Sequence, residues 1–376
     1  MKFELPTLCV HAGTIKDEKF RGINSPIYTS TSYEYIDRDD TVYPRYFNTP
    51  NEQSVAQRIA ELESCEAGLV FSSGMAAIST VLFTFLSKGD HAVFQKGLYG
   101  GTSHFLASEF ERFGISYTVA ASQEPADIEA AIRKETRLIY VETPSNPLMR
   151  ITDLAGVAAI GKKHGVLTMV DNTFASPVNQ QPHTLGIDIV MHSATKYLGG
   201  HSDICAGAVL GTREVMKKVH ATSLGFGGSL NAITLYLLER SIKTLDVRMQ
   251  RINSNAGSVA AFLAQHPAIA RVNYPGLPED PGYAVACRQM RGFGGMLSFE
   301  LRDADSLAFQ KKLKLIKPSM SLGGSETIVS SPVLTSHRHL SKEERQETGI
   351  TDGLIRFSAG LESQADLIED LDQALG

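Results

Sequence analysis

Between Gly68 and His192 the chain repeats one pattern: a short apolar run, a turn, then a stretch with helical spacing. The apolar runs are Gly68–Phe71, His91–Phe94, Ser116–Val119, Leu138–Glu142, Val166–Val170 and Ile187–His192. The helical stretches between them are Met75–Leu86, Ser103–Phe113, Asp127–Ile132 and Asp153–His164, and Glu52–Glu63 precedes the first run. Strands that alternate with helices call for a mostly parallel sheet covered on both faces, an α/β fold. Such sheets bind ligands at the carboxyl ends of their strands. Chemistry is therefore expected just after each run: at Ser72–Gly74, Tyr99, Glu142–Asn146, Asp171–Thr173 and Ser193–Lys196.

The flanks are different. The first 45 residues hold Pro6, Gly13, Gly22, Pro26 and Pro44 with weak helical periodicity, which reads as an arm lying on something else. A helical stretch, Leu230–Asn255, leads into a second region. There the pattern gives helices Ala256–Gln265, Asp305–Leu313 and Ala365–Leu375, with strands Ala270–Tyr274, Met296–Leu301 and Leu354–Ser358. The expected division is an arm over 1–45, a large domain over 46–245 and a C-terminal domain over 246–376.

Composition removes several classes of function. The formal net charge of the 376 residues is −5 and no basic block occurs, so the cationic footprint of a nucleic-acid binder is missing. Met75–Leu86 is too short for a membrane span and carries Ser79, Thr80 and Thr84. The N-terminus lacks the apolar core of a secretory signal. Cys9, Cys65, Cys205 and Cys287 form no CxxC pair and read as free thiols. These features imply a soluble cytoplasmic protein. His337 and His339 stand in a polar loop and read as surface residues, so no metal site is expected. The run GFGG at 292–295 does not open a helix after a strand and fails the dinucleotide context.

Two residues suit one reaction type when taken together. Asp171 closes an apolar strand, and Lys196 follows the next one. A lysine at the mouth of a sheet can form a Schiff base with a carbonyl cofactor. Pyridoxal phosphate also needs an acid against its ring nitrogen, so that the ring can act as an electron sink. Its phosphate needs N–H groups and hydroxyls. Ser73, Gly74 and Met75 at a helix start offer the first, and Ser193 and Thr195 the second. Tyr99 can stack on the ring.

These residues resemble the Cys/Met-metabolism family of pyridoxal-phosphate enzymes over nearly the whole chain. The most specific stretch is DIVMHSATKYLGGHSD at 188–203, similar to the family's cofactor-lysine signature. VETPSNP at 141–147, VDNTF at 170–174, SGM at 73–75, LYGGT at 98–102 and LIRFS at 354–358 support it. The resemblance implies an aspartate-aminotransferase-like fold (fold type I) with a smaller α+β C-terminal domain. It implies that Lys196 is the cofactor lysine, that Asp171 faces the pyridinium, and that Tyr99 stacks and can help the leaving group depart. By the same resemblance Ser73, Gly74, Met75, Ser193 and Thr195 hold the phosphate. Tyr43 and Arg45 match a Tyr-x-Arg motif that reaches the neighbouring subunit's cofactor, so a dimer with shared sites, and a homotetramer, is implied. Arg356 matches the arginine that grips the substrate carboxylate, and Asn146 and Ser321 match positions beside it.

Two departures bear on the substrate. In SMSLGG at 319–324, Met320 stands where cystathionine γ-synthases and many γ-lyases carry a Glu. A thioether cannot pair with a distal ammonium, which favours a less polar distal group. Gly101 stands where methionine γ-lyases usually carry a Cys, which counts against that activity. The expected function is a carbon–sulfur lyase acting on a sulfur amino acid such as cystathionine, of the γ- or β-lyase type. The alternatives are a γ-replacement enzyme (cystathionine γ-synthase or O-acylhomoserine sulfhydrylase) and, more remotely, a non-catalytic regulatory protein on the same fold.

Overall fold

In the computed structural model, residues 3–303, 305–336, 338, 341, 345 and 348–376 are described. His337 and His339 lie outside the described residues. The central sheet has seven strands: β1 (Ala67–Phe71), β2 (His91–Phe94), β3 (Ser116–Val119), β4 (Thr136–Glu142), β5 (Leu167–Asp171), β6 (Ile189–His192) and β7 (Gly207–Gly211). Their order is β1-β7-β6-β5-β4-β2-β3, parallel from β6 to β3, with β7 antiparallel to both of its neighbours. The antiparallel β7 has no counterpart in the sequence-based pattern. Its run, GAVLG, is short and framed by glycines, so it carries little strand signal.

The apolar runs of β4, β5 and β6 are explained by burial on both sides, whereas the edge strand β3 is largely exposed. Along β4, Leu138 and Tyr140 enter one core and Ile139 and Val141 the other. The same alternation divides Met169 from Val170 on β5, and Ile189 and Met191 from Val190 on β6.

Local chemistry sets the helices. α1 is Leu5–His11. α2 (Pro50–Leu62) opens with a capping box between Thr49 and Glu52 and has Pro50 at its first position. α3 (Gly74–Phe85) is capped by Ser73, whose hydroxyl accepts the Ala76 N–H at 3.0 Å. α4 (Gly100–Phe105) keeps regular winding only to Phe105, and wider then tighter turns carry the chain on to Phe113. It therefore begins earlier and ends sooner than the expected Ser103–Phe113. α5 (Pro125–Ala130), α6 (Leu154–His164), the short α7 (Ser176–Asn179) and α8 (Arg213–Phe226) come next along the chain. The expected helix over Leu230–Asn255 is two helices, α9 (Ala232–Ile242) and α10 (Leu245–Gln265), broken at Lys243 and Thr244. Apolar spacing runs through the break, so periodicity alone does not reveal it.

The second sheet has the order β10-β11-β12-β9-β8. Its strands are β8 (Ile269–Asn273), β9 (Met296–Leu301), β10 (Lys317–Pro318), β11 (Ile328–Ser330) and β12 (Leu354–Ser358). α11 (Tyr283–Gln289), α12 (Ser306–Lys312) and α13 (Gln364–Leu375) accompany it.

The start of the N-terminal segment lies on the chain's own core. Cys9 on α1 is wholly buried in the main core, and Leu5 and Leu8 pack against it. The buried Arg58 on α2 donates to the carbonyls of Cys9 and Val10 and to the Thr14 hydroxyl, and pairs with Glu239 at 3.2 Å. One short helix is too little for periodicity to register. Beyond Thr14 the chain runs without regular structure to Tyr43, with Phe20, Ile23, Tyr35 and Ile36 exposed. No helix among the described residues is long and apolar enough to cross a membrane.

Asp370 ties α13 to the turn after α12. Its carboxylate accepts the N–H groups of Lys314, Leu315 and Ile316 at 2.8–3.0 Å. Burial works to raise this carboxyl, but the three N–H groups and Gln373 outweigh it and hold it below the usual carboxylate range. Asp370→Ala is expected to cost about 2 kcal/mol of stability at neutral pH, measured by urea unfolding. The difference from wild type should shrink as the pH falls below about 4, because the native carboxyl then takes up a proton.

Candidate active site

The five strand ends expected to carry chemistry meet at one edge of the central sheet. A cavity of about 320 Å³ lies there, within the usual range for a small-molecule site. Lys196, Asp171, Tyr99, Ser73, Gly74, Met75, Ser193, Thr195, Asn146, Met320, Ser321 and Arg356 all line it. Tyr43 and Arg45 do not line the chain's own cavity. Tyr43 packs edge-on against Tyr46, and Arg45 donates to the Leu224 carbonyl.

Lys196 follows β6 in a tight turn. Its amine donates to Ser321 Oγ at 2.6 Å. Burial, and then the positive charge of Arg356, lower its pKa from the ordinary lysine value. Ser321 comes from the second sheet's region and has φ +80°, a left-handed conformation costly for a serine. That turn aims its hydroxyl at Lys196 and its carbonyl at Arg356, whose guanidinium donates to it at 2.8 Å. Two residues on, Gly323 packs on the Lys196–Tyr197 backbone, where a Cβ would lie 3.0 Å from the Tyr197 nitrogen.

Arg356 sits on β12 and donates its other terminal nitrogen to Asn146 Oδ1 at 3.1 Å. Burial pulls this guanidinium down to about 10, so it stays charged at neutral pH. Asp171 closes β5, where burial pushes its carboxyl up while the Thr173 hydroxyl and N–H pull the other way. Beside it in register stands Glu142, the end of β4. Glu142, one of the strand-end residues expected to carry chemistry, is buried in the same cavity.

The residues fit pyridoxal phosphate. The α3 N-terminus presents the Gly74 and Met75 N–H groups, which have no acceptor among the described residues. Ser73 Oγ uses a lone pair for its cap and keeps its own proton to donate. Gly74 leaves the space open: a Cβ there would lie 2.9 Å from Ser193 Cβ and 3.1 Å from its hydroxyl. Thr195 is less free than the sequence implies. Its hydroxyl accepts the Ala206 N–H at 3.0 Å and donates to the Ala206 carbonyl, so it must turn to meet a phosphate. The set combines an amine of lowered basicity, a buried carboxyl, an anion cradle and a guanidinium.

A central, mostly parallel sheet with a smaller second sheet and a lysine at the strand ends is the frame of a fold type I pyridoxal-phosphate enzyme. The family model described as Cys/Met metabolism PLP-dependent enzyme matches residues 6–376. The chain is 45% identical to the cystathionine γ-lyase of Bacillus subtilis (strain 168), over 98% of each chain. It is 41% identical to the cystathionine γ-synthase of Mycobacterium leprae (strain TN), over 99% of this chain and 96% of that one. The solved structure of cystathionine γ-lyase from Lactobacillus plantarum complexed with L-serine superposes with a TM-score of 0.95 at 38% identity, covering 99% of this chain and 98% of that one. The chain belongs to the Cys/Met-metabolism family of pyridoxal-phosphate-dependent enzymes. It is an enzyme, its cofactor is pyridoxal 5'-phosphate, and its family acts on amino-acid substrates in trans-sulfuration.

Gly74→Ala is expected to force the α3 N-terminus and Ser193 apart and weaken retention of pyridoxal phosphate about tenfold, the worth of one charge-assisted hydrogen bond. Equilibrium dialysis of the cofactor measures this. Unchanged retention would mean that these groups do not hold the phosphate.

Proposed function

We propose that the chain is a carbon–sulfur lyase of trans-sulfuration, eliminating from a sulfur amino acid such as cystathionine. The observation that carries the reading is the bonded chain Lys196–Ser321–Arg356–Asn146, which sets a base and a carboxylate grip side by side in one cavity. Bound pyridoxal phosphate supplies the electron sink for the pair left at the substrate Cα.

The chain's residues do the rest. Arg356 offers a guanidinium fork to the substrate carboxylate, with Asn146 and Ser321 fixing its plane. That grip turns the Cα–H toward Lys196. The lowered basicity of Lys196 leaves more of its amine neutral and able to take the Cα proton. Asp171 holds a negative charge against the ring nitrogen. Ser73, Gly74, Met75, Ser193 and Thr195 hold the phosphate. Tyr99, at the exposed mouth, stacks on the ring and passes a proton to the departing sulfur. Met320, 67% exposed, gives the distal end of the substrate no charge to meet.

Tyr43 and Arg45 complete the cofactor site of a neighbouring subunit, so the working unit is a dimer of shared sites, assembled as a homotetramer in the cytoplasm. Their absence from the lining of their own cavity supports this, as do the exposed aromatic and aliphatic side chains along 15–46. The division into 1–45, 46–245 and 246–376 then separates the reaching arm from the cofactor and carboxylate-gripping parts, though residues 5–14 anchor the arm. A γ-replacement enzyme is the second reading, supported by the similarity to a γ-synthase.

A substrate panel tests the reading. Cystathionine, cysteine, methionine, and O-acylhomoserine with a thiol are offered separately, and keto acid and thiol products are resolved. Cystathionine is expected to yield a keto acid and a thiol. Turnover of O-acylhomoserine plus thiol alone would put replacement in its place. Met320→Glu is expected to lower the KM for cystathionine about tenfold, by adding a partner for the distal ammonium. Sharing of sites has its own check. Arg45→Ala and Lys196→Ala subunits, each nearly inactive alone, should recover about a quarter of wild-type activity on mixing, since half the dimers then carry one intact site. No recovery would mean that each subunit works alone.

A further inference from the structure

Glu142 has no part in the roles above, yet it lies buried in the cavity beside Asp171. Two neighbouring buried carboxyls do not both ionise cheaply. Burial, and then the charge of Asp171, push the Glu142 carboxyl well above the usual range. Burial pushes the Asp171 carboxyl up as well, so the two groups oppose one another's ionisation.

Its oxygens are engaged. One accepts the Tyr99 main-chain N–H at 2.8 Å, and the other lies 3.4 Å from the Tyr140 hydroxyl. Tyr99 is where the loop after β2 turns into α4 without a side-chain cap. Gly97, two residues earlier, has φ +82°, so the loop arrives through a permissive joint. Among the described residues the Tyr99 main chain otherwise bonds only within α4, where its carbonyl accepts the Ser103 N–H. Tyr99 is 47% exposed, and its ring lies against Gly101, whose missing Cβ leaves it room. Among the described residues the Tyr99 side chain makes no hydrogen bond, so its place follows from where its main chain is held.

We propose that Glu142 is the positioning residue for Tyr99: it pins the Tyr99 main chain to the end of β4 and so holds the ring at the mouth of the cavity. The inference rests on the reading of Tyr99 as the aromatic residue that stands over the cofactor. Gln keeps an oxygen at the same reach to accept the Tyr99 N–H, so it should serve in its place. Leu cannot accept the N–H, and Asp is too short to reach it.

The test uses the holoenzyme, with Glu142→Gln, Glu142→Asp and Glu142→Leu in wild-type and Tyr99→Ala backgrounds. Hydrogen exchange at the Tyr99 amide, cofactor retention and kcat are measured. Leu and Asp are expected to speed exchange about tenfold or more and to weaken retention and kcat by a similar factor, while Gln stays within about threefold. In the Tyr99→Ala background, Leu and Asp should cost retention nothing further. Asp keeps the test alive where Leu fails to fold. Unchanged exchange in Asp, Gln as damaging as Leu, or equal losses of retention in both backgrounds would each overturn the inference. The exchange measurement does not depend on the reaction. Failure of the proposed function would show instead as a wild-type enzyme inactive on every substrate in the panel, with Tyr99 protection retained.

Discussion

The register of the parallel strands is the constraint on which the site depends. Glu142 pairs with Asp171, and Asp171 with Met191, across β4, β5 and β6. Burial on both faces holds that register, because a slip of one residue would exchange Tyr140 with Val141 and Met169 with Val170 between two filled cores. The strands therefore end together. A carboxyl on β4, a carboxyl on β5 and the Ser193–Lys196 turn after β6 all arrive at one level. The fold converts a hydrophobic requirement into the alignment of polar groups that no hydrophobic term specifies.

Alignment brings an electrostatic problem. Lys196, Arg356, Asp171 and Glu142 occupy one small cavity, and an isolated charge there would be very costly. Shifted acidities relieve it in part. The Glu142 carboxyl is pushed well above its usual range, and the basicity of Lys196 falls because water is scarce and Arg356 is close. Opposite charge relieves the rest. The strained Ser321 belongs to the same balance, since its left-handed turn lets one residue meet both cations, its hydroxyl serving Lys196 and its carbonyl Arg356. The strain is held in place by Gly323 packed on the lysine turn.

Legibility in the sequence depended on where information is dense. The strands β2, β3, β9 and β12 have the expected bounds because apolar runs end sharply at turn residues. Lys196, Asp171 and Arg356 were legible because their neighbours are fixed by packing as well as by chemistry. Strand β7 was not, since a glycine-framed run lacks a strong period, and helix α8 went unread although Met216, Val219 and Ser223 recur at helical spacing. Glu142 was visible as a strand end but carried no role, because its partner is a main-chain N–H and main-chain partners leave no mark in a sequence. The engagement of Thr195 with Ala206 was hidden for the same reason. The buried Cys9 was obscured by the brevity of its helix.

Lys196, Asp171 and Arg356 are half-buried at the strand ends, where register and charge balance restrict substitution. On the proposed reading, the residues that meet the distal group and the leaving group lie at the mouth. Met320 and Tyr99 are both exposed, and neither side chain has a hydrogen bond to fix it among the described residues. A strand-end position is overdetermined, so one chemistry persists among relatives that bear lyase and synthase names alike. A position at the mouth changes without disturbing the core. The distal group of the substrate must pass this rim, and in a replacement the second reactant must enter by it. On the proposed reading, substrate choice is decided at this rim, where packing constrains least.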